Sequence, residues 1–176
     1  MYKHLFRPIL FLLKPETIHH LIVFGLKVGR WIPGFNALLR ACFTVKHPSL
    51  EREVFGLKFA NPIGLAAGFD KNGAIYNELA GFGFGFIETG TVTPKGQPGN
   101  PKQRLFRLTR DNALINRMGF NNNGAEAMFC QLQRKNRRVV VGVNLGKNTA
   151  TPNDRAAADY LHSFRLLYDY GDYFVV

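Results

Sequence analysis

The chain has 176 residues, 46% of them apolar, and a formal charge of +11. That apolar share buries a core and excludes wholesale disorder, and the length admits one domain with a small appendage. Cys42 and Cys130 lie far apart and in no metal-ligand spacing, which gives no disulfide framework or metal site and suits a reducing compartment.

Three helical patterns fill the first segment, over residues 2–13, 15–30 and 35–43. Pro15 suits a first helical turn and Glu16 its positive end, and Pro33-Gly34 marks the passage to the third. Residues 1–50 carry a net charge of +6, with Glu16 the single acid. These basic residues alternate with Leu5, Phe6, Ile9, Leu10, Leu12, Leu13, Leu21, Ile22, Phe24 and Leu26, a mixture that suits helices lying on an anionic membrane surface. Nucleic acid fits less well, because the later arginines are scattered and lack aromatic interleaving. Lys14, Pro15, Glu16, His19 and His20 interrupt the apolar runs, whereas a spanning helix needs about 20 mostly apolar residues. No small-residue cleavage site follows an uninterrupted core, as a signal peptide requires. The segment is expected to lie on a membrane without crossing it.

From Val54 the texture changes to strand and helix in alternation. The pattern predicts a tight hairpin over 54–59 turning near Gly56, a buried strand over 63–66 and a helix over 74–79. A strand over 84–89, a polar Gly/Pro loop over 91–103 and a helix over 124–134 follow. A strand over 139–144, a helix over 154–168 and an apolar run over 173–176 complete the series. Repeated strand–helix units imply parallel strands with right-handed crossovers. The expected class is α/β, with four of the eight strands of a (β/α)8 barrel, a fold of about 250 residues. The expected division is a helical extension over 1–47 and a half-barrel over 48–176. Val176 falls inside a strand, which is an odd place for a finished domain to stop.

Four clusters follow strands, where such a barrel carries its active-site loops. The run Gly64 to Gly73 combines small residues, which let backbone approach a flat ligand, with the charge of Lys71; by itself it reads more readily as a close-packed turn. In Glu88-Thr89-Gly90-Thr91-Val92-Thr93-Pro94, Thr91 ends a strand with its hydroxyl free for a polar ring edge, or is simply a β-branched strand residue. Asn116-Arg117-Met118-Gly119-Phe120-Asn121-Asn122 offers uncharged amide donors and acceptors suited to a planar heterocycle, or an Asn-rich turn. Asn144, in Gly142 to Asn148, ends a buried strand and needs a partner there, structural or otherwise.

In this order and spacing the four clusters closely resemble the dihydroorotate dehydrogenase family. The matching words are Asn61-Pro62 leading to Ala66-Ala67-Gly68-Phe69-Asp70-Lys71, then Gly90 to Pro94, Asn116 to Asn121, and Asn144 to Asn148. The resemblance covers essentially the whole chain. It implies a TIM-type barrel with FMN at the C-terminal strand ends and oxidation of dihydroorotate to orotate in pyrimidine synthesis. It places Ala67, Gly68, Phe69, Asp70, Lys71, Thr91 and Asn144 at the flavin. Lys71 also faces substrate, and Asn116, Arg117, Met118, Gly119, Phe120 and the weaker candidate Asn121 line the orotate pocket.

The helical extension resembles that of the membrane-bound, quinone-reducing class. Pro15-Glu16-Thr17-Ile18-His19-His20 resembles its signature and places His19 at the quinone entrance, with Arg107 as a second polar quinone contact. The resemblance also implies a serine base a few positions beyond Val176, so no catalytic base is assigned within this chain. A second flavin-contacting lysine and the phosphate-binding loops are likewise expected beyond Val176, so this stretch by itself is expected to be inactive. Peripheral attachment to the cytoplasmic face of a bacterial cell membrane is expected, ahead of attachment to a mitochondrial inner membrane. The alternatives are a soluble-class relative, or a non-catalytic half-barrel whose sheet edge pairs with another polypeptide.

Overall fold

Four parallel strands, paired in chain order, form the main sheet of the computed structural model, which describes residues 2–133 and 139–176. They are β3 (Gly64–Leu65), β4 (Phe86–Val92), β9 (Val140–Leu145) and β10 (Tyr173–Val175). The last three are each reached by a helical crossover: α4 (Tyr76–Leu79) before β4, α5 (Ala125–Leu132) before β9, and α6 (Ala156–Leu167) before β10. This is the strand–helix repeat of a partial (β/α)8 barrel. The expected end of the 124–134 helix at Arg134 lies outside the described residues.

Period-2 alternation assigns the two faces of the sheet. Ile87 and Thr89 of β4 and Val141, Val143 and Leu145 of β9 are buried against Ile75, Leu79, Met128, Leu132 and Leu167. Each large aliphatic side chain buried here contributes about 1.5–3 kcal/mol. Thr89 is tolerated in that layer because its hydroxyl donates to the Gly142 carbonyl at 3.1 Å. On the inner face aromatic rings alternate with glycines. A Cβ at Gly64 would lie 2.1 Å from the Phe86 ring, and one at Gly142 would lie 2.2 Å from the Tyr173 ring.

The hairpin is as read: β1 (Arg52–Val54) and β2 (Leu57–Phe59) pair antiparallel around Phe55 and Gly56, both with positive φ. That is the turn whose twist matches paired strands. It brings Phe59 within 5.4 Å of Phe86, centroid to centroid, at the N-terminal end of the inner face.

Several expectations are corrected. The strand at 63–66 is a two-residue edge strand, bonded only to β4 and not buried; Ile63 is 63% exposed. The loop over 91–103 contains β5 (Lys95–Gln97), which pairs antiparallel with β8 (Asn122–Gly124). Between them stands an unexpected hairpin, β6 (Leu105–Leu108) with β7 (Ala113–Asn116). Asn116 therefore ends a strand rather than opening a turn.

The N-terminal segment comprises a π-helical turn (Tyr2–Phe6), α1 (Arg7–Phe11), α2 (Pro15–Gly29) and α3 (Phe35–Phe43). α2 buries Ile18, Leu26 and Gly29 while Leu21, Phe24 and Val28 stay exposed, at a spacing that puts them on one stripe. Arg30 fastens its end by donating to the Ala74 carbonyl at 2.9 Å and pairing with Glu78 at 3.4 Å. Among the described residues no single helix is long and apolar enough to cross a membrane, and the helical stretch Lys3–Phe11 meets α2 at a bend of 114°.

Candidate active site

Three of the four clusters converge at the C-terminal ends of β3, β4 and β9. The loop after β3 lies on the end of β4: Gly68 N–H donates to the Gly90 carbonyl at 2.7 Å, and Gly90 N–H to the Asp70 carbonyl at 3.1 Å. Gly68 has φ +108, and a Cβ there would meet nothing within 4 Å, so its Cα faces open space. The Asp70 carboxylate is turned the other way. It is buried and accepts the N–H groups of Ala74 and Ile75, both at 2.8 Å, which caps the turn into α4. Burial pushes its pKa up while those hydrogen bonds oppose the shift. Through its carboxylate Asp70 thus fixes the shape of the loop.

Lys71, next in the loop, crosses to the remaining cluster, residues 116–122. Its Nζ donates to Asn121 Oδ1 at 2.6 Å. Burial pushes the lysine pKa down, and the positive charge of Arg104 pushes it further.

Thr91 and Asn144 meet side by side. The Thr91 hydroxyl donates to the Asn144 amide oxygen, so it is engaged rather than free as its strand-end position implied. The amide nitrogen donates to Glu88 Oε1 at 3.3 Å, and the Tyr173 hydroxyl donates to the other Glu88 oxygen at 3.3 Å. Asn144 therefore has the partners its position demanded. Burial pushes the Tyr173 pKa well up, and Glu88 adds to this. Glu88 was legible only as an inner-face position, alternating with Ile87 and Thr89.

The cluster 116–121 divides. Met118 accepts from Asn100 N–H at 3.0 Å, and the Gly119 and Phe120 carbonyls accept from Gln97 at 3.2 and 3.3 Å. Arg117 donates to the Gln103 carbonyl at 3.0 Å and Asn116 is exposed. Asn121 is the member that reaches Lys71. The adjacent Asn122 is structural: it is buried, donates to Thr93 Oγ1 at 2.9 Å and accepts Gly124 N–H at 2.8 Å.

The helical segment reaches this loop cluster through His19. Its ring packs edge-on against Phe69, 4.8 Å between centroids. Burial holds His19 below the usual imidazole pKa, and the charges of His20 and Lys71 act the same way. Arg107, on β6, donates to the Leu13 carbonyl at 2.7 Å and lies 4.3 Å over the Phe11 ring. Sequence reasoning passed over Arg104. It forms a buried ion pair with Glu16 at 2.7 Å, and no local signal marks a partner 88 residues away. Among the described residues no group of three or more His, Cys, Asp or Glu gathers as a metal site would require.

The family model described as dihydroorotate dehydrogenase matches residues 49–176. The chain belongs to the dihydroorotate dehydrogenase family. Curated relatives extend the match through the helical segment. The dihydroorotate dehydrogenase (quinone) of Christiangramia forsetii is 58% identical over 176 residues, all of this chain and 52% of the relative. That of Coxiella burnetii is 49% identical over the same length, 49% of the relative. The chain thus spans about half the length of the curated relatives it matches. Among solved structures, the enzyme of Eimeria tenella in complex with ferulenol aligns at a TM-score of 0.78 and 37% identity, over 92% of this chain and 43% of that one. The ligand-free form aligns equally well, over 45% of its length.

Proposed function

We propose that this chain supplies the active-site loops of the first half-barrel of a quinone-reducing dihydroorotate dehydrogenase. FMN sits at the ends of β3, β4 and β9, dihydroorotate lies between residues 66–73 and 116–121, and a membrane quinone meets the helical extension. The observation that carries this reading is the Lys71–Asn121 contact. It puts a half-buried cation and a neutral amide at one point between two strand-end loops, a pairing suited to a planar heterocycle bearing a carboxylate.

The residues present fit FMN. Gly68 leaves its side-chain direction open, so a flat ring can approach backbone there. Glu88 takes one of the two amide protons of Asn144, which leaves the other for a ring carbonyl. Held by the Gly68 backbone, Thr91 and Asn144, FMN would supply the hydride-accepting and electron-donating chemistry of the site. The Lys71 ammonium stabilises negative charge at the ring edge and on the substrate carboxylate, in a site where burial makes that charge count. Glu88 and Thr91 fix which way the Asn144 amide points. Asn116, Arg117, Met118, Gly119 and Phe120 hold the wall beside the substrate largely through backbone and Gln97 contacts. No residue of this chain is assigned as the proton-abstracting base.

Residues 1–47 act as the quinone and membrane module and 48–176 as the barrel half. His19 and Arg107 face the quinone path, where a neutral imidazole suits an apolar acceptor. Trp31, Leu12 and the stripe Leu21–Phe24–Val28 are exposed beside basic residues, which suits peripheral attachment to an anionic bilayer, on the cytoplasmic side of a cell membrane. The test is to denature the purified full-length protein and identify what it releases. One FMN per chain supports the reading, and FAD or no flavin overturns it.

A further inference from the structure

We infer that Glu16 and Arg104 form a positioning strut through which the helix bearing His19 sets the geometry of the loop 116–121. The inference rests on the dihydroorotate site proposed above. Its basis is a continuous series of contacts centred on Arg104, which is only 7% exposed. Nε and Nη2 of Arg104 donate to Glu16 at 3.2 and 2.7 Å, while Nη1 donates to the carbonyls of Pro98 at 2.6 Å and Asn100 at 2.8 Å. The Arg104 carbonyl then accepts the Arg117 N–H at 2.8 Å.

The next link is as tight. Gly99 has φ +72, and a Cβ there would lie 2.2 Å from the Met118 carbonyl oxygen and 3.0 Å from Arg104 Nη1. Asn100 donates from its backbone to the Met118 carbonyl at 3.0 Å and from its side chain to the Arg117 carbonyl at 2.8 Å. Residues 98–100 are thus clamped between the guanidinium and the loop that ends at Asn121, the partner of Lys71. The planar guanidinium donates along several fixed directions at once, so it sets distances that a lysine would leave loose. A buried ion pair adds little net stability over apolar groups of the same shape, yet losing one partner leaves an uncompensated charge. Here that charge would act on the loop at one end and on Lys71, which feels both members of the pair, at the other.

A purely structural role would lower stability and leave the substrate site intact. A strut moves the affinity for a ligand that Glu16 does not touch. The experiment compares Glu16→Ala and Glu16→Gln in the full-length, flavin-loaded enzyme, with Thr17→Ala as an exposed neighbour on the same helix. Orotate affinity is read by titrating the flavin absorbance, and hydrogen exchange is followed across residues 98–121. Glu16→Ala is expected to weaken orotate about tenfold and to speed exchange at 98–104 and 116–121, with a smaller effect of Glu16→Gln and none of Thr17→Ala. A folded Glu16→Ala enzyme with orotate affinity within twofold of wild type and unchanged exchange overturns the strut. Should Glu16→Ala not fold, Glu16→Gln decides by the same two readouts. If the wild-type enzyme itself does not bind orotate, the functional reading fails, and the exchange rates alone decide the strut.

Discussion

Lys71 Nζ and Asn121 Oδ1 meet at 2.6 Å although 50 residues separate them in the chain. The loop after β3 and the loop before β8 are thereby joined at one polar point. Removing the lysine leaves the fold's apolar layers untouched but deletes the positive charge from that point. In the full-length enzyme, Lys71→Ala is expected to slow flavin reduction by dihydroorotate about 10²–10³-fold, the effect of losing one charge-assisted contact. Stopped-flow reduction within threefold of wild type would remove Lys71 from this role.

His19 touches Phe69, and Phe69 is two residues from Lys71, yet the two residues are expected to serve different half-reactions. His19→Ala should slow flavin reoxidation by quinone and leave the rate of reduction by dihydroorotate unchanged. Anaerobic reduction and subsequent reoxidation, timed separately, check this. Unchanged rates for both would make His19 a packing residue of α2.

The main sheet was legible because period-2 alternation and short apolar runs are local signals. Val140 to Leu145 reads as a strand with or without its neighbours. Strand 63–66 was misread as buried for the same reason: apolar content is visible in sequence, whereas an edge position depends on which strand pairs with it. The β6–β7 hairpin went unread despite a signal. Asp111-Asn112 stands between two apolar runs, Asn112 adopts φ 49, and such a pair is a turn former. Within the site, the sequence named Lys71, Thr91 and Asn144 but left out what orients them. Glu88, Glu16 and Arg104 are set by partners far along the chain, and no window of a few residues contains that information. The part the Asp70 carboxylate plays at the start of α4 was likewise not legible, because its N–H partners are defined only once the turn has formed.

The capping role of the Asp70 carboxylate has a measurable consequence. Asp70→Ala leaves two buried N–H groups, those of Ala74 and Ile75, without their acceptor and is expected to cost about 2–4 kcal/mol of stability. Asp70→Asn keeps one acceptor oxygen and carries no charge to desolvate, so it should cost less. Chemical denaturation of the two variants in the full-length enzyme checks the order. Equal stability of Asp70→Ala and wild type would contradict the cap.

The exposed stripe of α2 can be altered without touching its buried side. A triple variant, Leu21→Glu, Phe24→Glu and Val28→Glu, leaves Ile18, Leu26 and Gly29 in place and should lose binding to anionic liposomes in flotation. High salt should weaken wild-type binding without abolishing it, because apolar burial persists when charge is screened. Equal flotation of variant and wild type would rule out this face as the membrane contact.

The most direct test of the proposed site follows the flavin through one anaerobic cycle in the full-length protein. Dihydroorotate is added first, then a membrane-soluble quinone, while the visible flavin absorbance is recorded. The site described at β3, β4 and β9 predicts bleaching on the first addition, recovery on the second, and no recovery when NAD⁺ replaces the quinone. A flavin absorbance that dihydroorotate leaves unchanged would contradict the assignment of these loops to dihydroorotate oxidation.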